Sequence, residues 1–245
     1  MRRSEGGFTL IELMIVIGII AIIAAISIPN LLASKLNANE TAAIATMRHI
    51  VSSQAQVAVT SKIDADRDGK GEFGTFLEMS AAVGVRQGLL LGPPRASDFS
   101  RKGALLNPPV LSSVFANVDP NGFTSKAGYA FMVYLPDGGS PAGFVHETFV
   151  APTVGLAGGT GTVGVDASEA IWCAYGQPVH YGGSGTRRFF TNQKGDILQS
   201  GNDVTKAGGT LAVIQADAAF LGSHISSPVA VGTLGNDGDT WRVVN

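Results

Sequence analysis

The sequence predicts an α+β fold, in which one long N-terminal helix packs on an antiparallel β-sheet head. Two observations predict it. The sixteen residues from Leu13 to Ile28 carry no charge and form a largely apolar run. Downstream of Ser61 the chain instead holds short β-like runs, and it contains 32 glycines and 11 prolines in all. Residues that favour turns at this frequency indicate strands and loops over most of the chain.

The apolar N-terminal segment is long enough to cross a membrane. From Phe8 to Leu32 the only charged residue is Glu12. At about 1.5 Å per residue, such a helix spans a hydrocarbon core, which needs about 20 residues. Arg2 and Arg3 precede it and should stay on the cytoplasmic side. We therefore expect a transmembrane helix over residues 8–32, with the bulk of the chain outside the cytoplasm.

The next segment, residues 33–62, has the pattern of an amphipathic helix. Its apolar residues recur at spacings of three and four, which places them on one face. They are Ile44, Met47, Val51, Ala55 and Ala58. We expect this segment to continue the first helix and to lay its apolar face on the head.

Two ordinary explanations of the apolar segment account for only part of it. A secretory signal would have a shorter apolar core, followed by a small-residue cleavage site. A simple signal anchor fits the hydropathy but gives no reason for Glu12, because a carboxylate in hydrocarbon is costly. Position near the headgroups and the positive end of the helix would make Glu12 tolerable without explaining the residues around it.

A family resemblance is carried by the residues Gly7-Phe8-Thr9-Leu10-Ile11-Glu12-Leu13-Met14-Ile15-Val16. They resemble the cleavage and methylation motif of type IV prepilins and type II secretion pseudopilins. The resemblance implies that residues 1–7 are a cleaved leader and that a prepilin peptidase cuts between Gly7 and Phe8. It also implies that the new amine of Phe8 is N-methylated and that the fold is pilin-like.

The resemblance gives Glu12 a role in assembly. The carboxylate of Glu12 would pair with the Phe8 amine of a neighbouring subunit, so that two charges costly in low dielectric compensate each other. The implied partners are copies of this chain, other pilin-like subunits, the prepilin peptidase/methyltransferase and an inner-membrane assembly platform. The implied location is a single-pass protein of the cytoplasmic membrane, then a periplasmic or cell-surface filament.

Residues 63–245 are expected to form the globular α+β head. Strands are predicted at 128–135 and 170–181, with a hairpin over 188–199 and an edge strand at 240–244. The glycine-rich stretch 137–168 reads as a surface excursion, and 211–221 as a helix. The single cysteine, Cys173, excludes an intramolecular disulfide.

An acidic loop follows the predicted helix and is the one candidate metal site. Asp64, Asp66 and Asp68 alternate before Gly69, which is the start of a calcium-binding loop. Glu72 falls at the ninth position, but no glutamate stands at the twelfth. Calcium is therefore the one candidate cofactor, and a solvated acidic turn is the alternative.

The leading functional hypothesis is a structural subunit of a type IV pilus-like filament. A type II secretion pseudopilin shares the same N-terminal motif, and a membrane-anchored binding domain is a third alternative. No phosphate loop, nucleophile elbow or metalloprotease motif is present in the sequence, so we do not predict an enzyme. A net charge of -2 gives no general attraction to nucleic acid.

Overall fold

A computed structural model describes residues 7–88, 96–150, 153–200 and 215–244. Most of the predicted leader, residues 1–6, lies outside this part of the chain. The helices are α1 (Leu10–Thr60), α2 (Phe76–Met79) and α3 (Val165–Ser168), with a short 3-10 helix at Ser113–Ala116. The strands are β1 (Arg86–Gly88), β2 (Ala96–Lys102), β3 (Thr124–Lys126), β4 (Tyr129–Pro136), β5 (Phe144–Val150), β6 (Thr153–Ala157), β7 (Val163–Gly164), β8 (Cys173–Pro178), β9 (Phe189–Asn192), β10 (Ile197–Ser200) and β11 (Trp241–Val243).

Helix α1 contains both predicted helical segments in one element of 51 residues, which is about 75 Å long. Its buried residues all lie in the second half, between Glu40 and Val57. Pro29 lies inside the helix without ending it. The helix ends at Ser61, whose φ of 45° is the left-handed conformation that closes many helices.

The head is built on an eight-stranded antiparallel sheet. Its strand order is β11-β10-β9-β8-β4-β5-β6, and β3 pairs with β4 beside this path. Strands β1, β2 and β7 form a second, three-stranded sheet. The long helix on an antiparallel sheet confirms the α+β prediction.

Both faces of the main sheet are covered, because all eight residues of β4 are buried. On one face, Phe131 and Val133 belong to the same apolar cluster as Met47 of α1. On the other face, Met132 and Tyr134 belong to a cluster with residues of the C-terminal segment 215–244. The sheet is therefore the middle layer, between α1 and the end of the chain.

The C-terminal segment is fastened to the sheet by a buried ion pair. Arg188 contacts the carboxylates of Asp237 and Asp239 at 2.7 and 2.6 Å, and it lies over the ring of Trp241. Cys173 is buried and is not in a disulfide.

The predicted surface excursion 137–168 is wrong, because this stretch contains β5, β6, β7 and α3. Asp137 organises it. The Asp137 carboxylate accepts hydrogen bonds from the main-chain N–H groups of Gly139, Gly143 and Thr160, so that two loops are held at the end of β4. In the predicted helix 211–221, residues 211–214 lie outside the described residues, and the described remainder forms turns.

Candidate functional site

The residues of the predicted cleavage site lie in non-helical chain just before α1. Gly7, Phe8 and Thr9 are not helical, and Phe8 is 88% exposed. Thr9 has φ of -83° and ψ of 152°, and the helix begins at Leu10. The peptide bond between Gly7 and Phe8 therefore lies outside the helix.

Thr9 and Glu12 form a capping box that starts the helix. The Thr9 hydroxyl oxygen accepts a hydrogen bond from the Glu12 N–H, at 3.3 Å. In return, Glu12 Oε2 accepts from the Thr9 N–H at 2.9 Å and from its hydroxyl at 2.7 Å. Such a reciprocal pair satisfies N–H groups that the first turn leaves without partners. Within a single chain, the Glu12 carboxylate is thus held by its own helix.

The helix that follows exposes nearly all its large apolar side chains. From Leu10 to Leu32 these side chains are between 48% and 76% exposed, and an 18-residue window of this part has none of its residues buried. By length and composition, α1 could cross a membrane. Its first half therefore finds no partner surface among the described residues, and Glu12 lies at the beginning of that exposed face.

Fold and N-terminus together define a class of protein: an α+β head carried on one long helix whose exposed half is apolar enough to span a bilayer. Comparison with known proteins narrows the class. Residues 2–28 match the prokaryotic N-terminal methylation motif family. A 52-residue stretch is 56% identical to the type IV wide pilus major component PilA4 of Thermus thermophilus. No solved structure matches the chain.

That similarity spans 21% of this chain and 40% of the length of PilA4. The N-terminal segment is therefore similar to that of the prepilin-type family, as its motif residues predicted.

The three alternating aspartates of the predicted metal site converge in the structure. Oxygen atoms of Asp64, Asp66 and Asp68 all lie within 4.8 Å of one another. Asp64 accepts hydrogen bonds from the N–H groups of Asp68 and Gly69, at 3.2 and 3.1 Å, so the loop curls around its first carboxylate. This geometry brings together three of the four predicted ligands.

Glu72 does not join them, and its assignment as a ligand is not supported by its position. Its side chain is buried, where it accepts from the N–H of Ala65 at 2.6 Å and forms an ion pair with Arg86 at 2.9 Å. Burial raises the pKa of Glu72, although the Arg86 guanidinium and the Ala65 N–H act against the rise. Arg86 also pairs with Glu78. Glu72 is therefore part of a buried ionic core and not of the acidic loop.

Two carboxylates from a distant part of the chain lie beside the loop instead. Asp166 and Glu169, in and just after α3, each bring an oxygen within 4.8 Å of Asp66. Lys70 forms ion pairs with both Asp68 and Glu169, at 3.1 and 3.2 Å. Sequence reasoning missed these two residues, because about a hundred positions separate them from the loop and no local pattern signals them.

Proposed function

We propose that this chain is a structural subunit of a type IV pilus-like filament. A prepilin peptidase would cut between Gly7 and Phe8, and the new Phe8 amine would be methylated. One observation carries the proposal: the cleavage motif stands at the exposed end of a helix whose first half has apolar side chains without a partner in the described part of the chain. Before assembly, the subunit would be anchored in the cytoplasmic membrane with its head outside the cytoplasm. It would then be incorporated into the filament.

The exposed half of α1 supports assembly because its surface cannot remain in water. Burial of apolar surface contributes about 25 cal/mol per Å², and each fully buried isoleucine or leucine about 1.5–3 kcal/mol. Lipid satisfies this requirement before assembly, and the same helix of neighbouring copies satisfies it afterwards. The head needs no such partner, since its own sheet covers the second half of α1.

Glu12 supports assembly because its charge is expensive in an apolar phase. Within the described part of the chain, the Glu12 carboxylate accepts hydrogen bonds from Thr9 alone. Cleavage would create a positive amine on Phe8, and the amine of a neighbour would offer Glu12 a stronger, charge-assisted partner. A subunit in the wrong register would leave both charges unpaired, which costs several kcal/mol. The pair would therefore select the correct register.

A type II secretion pseudopilus is the alternative assembly. It would use the same N-terminal mechanism, and the absence of a disulfide in the C-terminal segment favours either a pseudopilin or a disulfide-free pilin. Deletion of the chain distinguishes them: loss of surface filaments indicates a pilus subunit, whereas loss of protein secretion with surface filaments intact indicates a pseudopilin. A membrane-anchored binding domain would leave both unchanged.

Processing tests the proposal directly. The intact mass of the protein extracted from membranes should correspond to a chain that begins at Phe8 and carries one extra methyl group. Gly7→Val should leave the leader attached, because a bulky side chain would stand beside the cut bond. Gly18→Val is the matched control, since Gly18 is also exposed but lies inside the helix. An N-terminus at Met1, or beyond Ala33, would contradict the prepilin mechanism.

We propose in addition that the acidic loop binds calcium through Asp64, Asp66 and Asp68. Binding to the folded state alone would stabilise the head by about 2.7 kcal/mol at one hundred times the dissociation constant. The purified chain in detergent should then melt at a lower temperature in chelator, and calcium should restore it better than magnesium. Asp66→Asn combined with Asp68→Asn should remove the difference, whereas the exposed Asp196→Asn should retain it. Identical melting with calcium and with chelator would leave the loop as a solvated turn.

A further inference from the structure

A polar contact marks the point at which α1 enters the head. Asn37 and Ala38 are exposed, whereas Glu40 is buried, with only 3% of its surface exposed. From Glu40 onward, one face of α1 is covered by the sheet. Glu40 is thus the first residue of α1 that the head encloses.

Three residues of the β8–β9 connection bind this point of the helix. Glu40 Oε1 accepts hydrogen bonds from the N–H and the hydroxyl of Thr186, both at 2.9 Å. Glu40 Oε2 accepts from Arg187 Nε at 2.7 Å. The side-chain amide of Asn39 donates to the main-chain oxygen of Ser184 at 2.9 Å. We call these contacts the Glu40 clasp.

The clasp is anchored in the sheet behind it. The Tyr129 hydroxyl, on the buried strand β4, donates to the main-chain oxygen of Arg187 at 3.0 Å. The guanidinium of Arg187 also donates to the side-chain oxygen of Gln199 on β10, at 2.8 Å. At Gly185 a Cβ atom would overlap the Tyr129 hydroxyl, so a glycine is needed for the connection to lie this close. A force applied to the helix at Glu40 would therefore be transmitted through Arg187 to strands β4 and β10 of the main sheet.

Immediately before the clasp, the helix makes no comparable contact with the described part of the head. Residues 33–38 lie between the apolar segment and the clasp, and all but Leu36 are exposed. Pro29, just upstream, supplies no N–H for the hydrogen-bond ladder of the helix. This stretch depends on its own helical hydrogen bonds, which are marginal without tertiary packing.

We propose that the Glu40 clasp is the stop at which unwinding of α1 ends. Residues 33–38 open locally, while the helix from Asn39 onward remains closed with the head. The clasp is then the joint through which tension on the membrane-embedded or assembled half is passed to the sheet. The stop itself concerns a single chain, whereas its role in passing tension to the sheet rests on the proposed function.

Hydrogen exchange on the full chain in detergent tests the stop. In the wild-type chain, amides of residues 33–38 should exchange faster than those of residues 43–50, because each helical N–H donates to the carbonyl four residues earlier and amides from 43 onward bond to carbonyls at or after Asn39. Glu40→Ala removes hydrogen bonds to a charged group, so exchange of amides 43–47 should rise by about 10- to 100-fold. Amides of β4 and β8 should remain as protected as before.

Two further variants keep the test specific. Arg187→Gln should raise exchange at the same amides, since it removes the other charge, whereas Lys35→Gln, exposed five residues upstream, should not. Unchanged exchange at amides 43–47 in both Glu40→Ala and Arg187→Gln would overturn the proposal. It would equally be overturned if protection were lost in β4 and β8 as well, because the contact would then hold the whole fold together and not a local stop.

Discussion

The two halves of α1 are alike in helical structure and opposite in what surrounds them. In the first half, large apolar side chains such as Ile20 (58% exposed) and Ile26 (66%) find no cover among the described residues. In the second half, Met47 and Ile50 are fully buried against the sheet. The difference lies in pattern and not in helix formation: the first half is apolar on all sides, whereas the second is apolar on one face.

This contrast separates two tasks within one element. The second half is satisfied inside the chain, so it should determine the stability of the head. The first half finds no cover among the described residues, so under the proposed function it should determine insertion and assembly and leave the head unaffected. Substitutions in one half alone can therefore test whether the two halves of α1 act independently.

A matched pair of methionines gives the largest expected effect. Met47→Ala removes a side chain with 0% exposure from the α1–sheet contact and should destabilise the head by about 2–5 kcal/mol. Met14→Ala removes one that is 59% exposed and should change head stability by less than about 0.5 kcal/mol. Thermal or denaturant unfolding of the purified chains, followed by a signal from the head, measures both. Equal effects of the two substitutions would show that the halves are not independent.

The pH dependence of head stability offers a second test, because the head contains a buried carboxylate, Glu147. Burial raises the pKa of Glu147 to about 7, although its carboxylate accepts hydrogen bonds from the N–H groups of Phe76 and Leu77, which lower the pKa. An unfolded glutamate titrates near pH 4.3, so the folded head holds a proton that the unfolded chain has already lost. The resulting stability is fully present below about pH 4.3 and is lost as the pH rises through 7.

The head should therefore be more stable at pH 5 than at pH 8, by about 2–3 kcal/mol from this group. Glu147→Gln should flatten that part of the pH dependence, whereas Glu169→Gln, on a partly exposed side chain, should preserve it. Unfolding free energies at several pH values measure the slope. If Glu147→Gln retained the wild-type slope, the buried carboxylate would not be its source.

Elements that depend on local pattern were predictable from the sequence. The hairpin predicted over 188–199 is confirmed as β9 and β10, because a tight turn lies between two short β-branched and aromatic runs. The long helix and the edge strand β11 are confirmed for similar reasons. The capping box of Thr9 and Glu12 was also within reach, since threonine three residues before glutamate is its sequence signature.

Features that depend on distant residues were not predictable. Glu72 matched a calcium-loop position by spacing, but the guanidinium of Arg86, fourteen residues downstream, takes its carboxylate. Stretch 137–168 has a loop-like composition, yet Asp137 and pairing with β4 order it into strands. In both cases a specific side-chain contact, which composition and motif spacing do not reveal, determines the structure.

The central claim is that Glu12 serves assembly and not the stability of the single chain. Glu12→Ala should leave the melting of the head unchanged and membrane insertion intact or improved, because a costly charge is removed from the apolar segment. Incorporation into filaments, measured as the amount of subunit in a sheared filament preparation, should be lost. Glu12→Asp should be intermediate, since its shorter side chain reaches less far toward a neighbouring Phe8 amine. Incorporation of Glu12→Ala at the wild-type level would contradict the account.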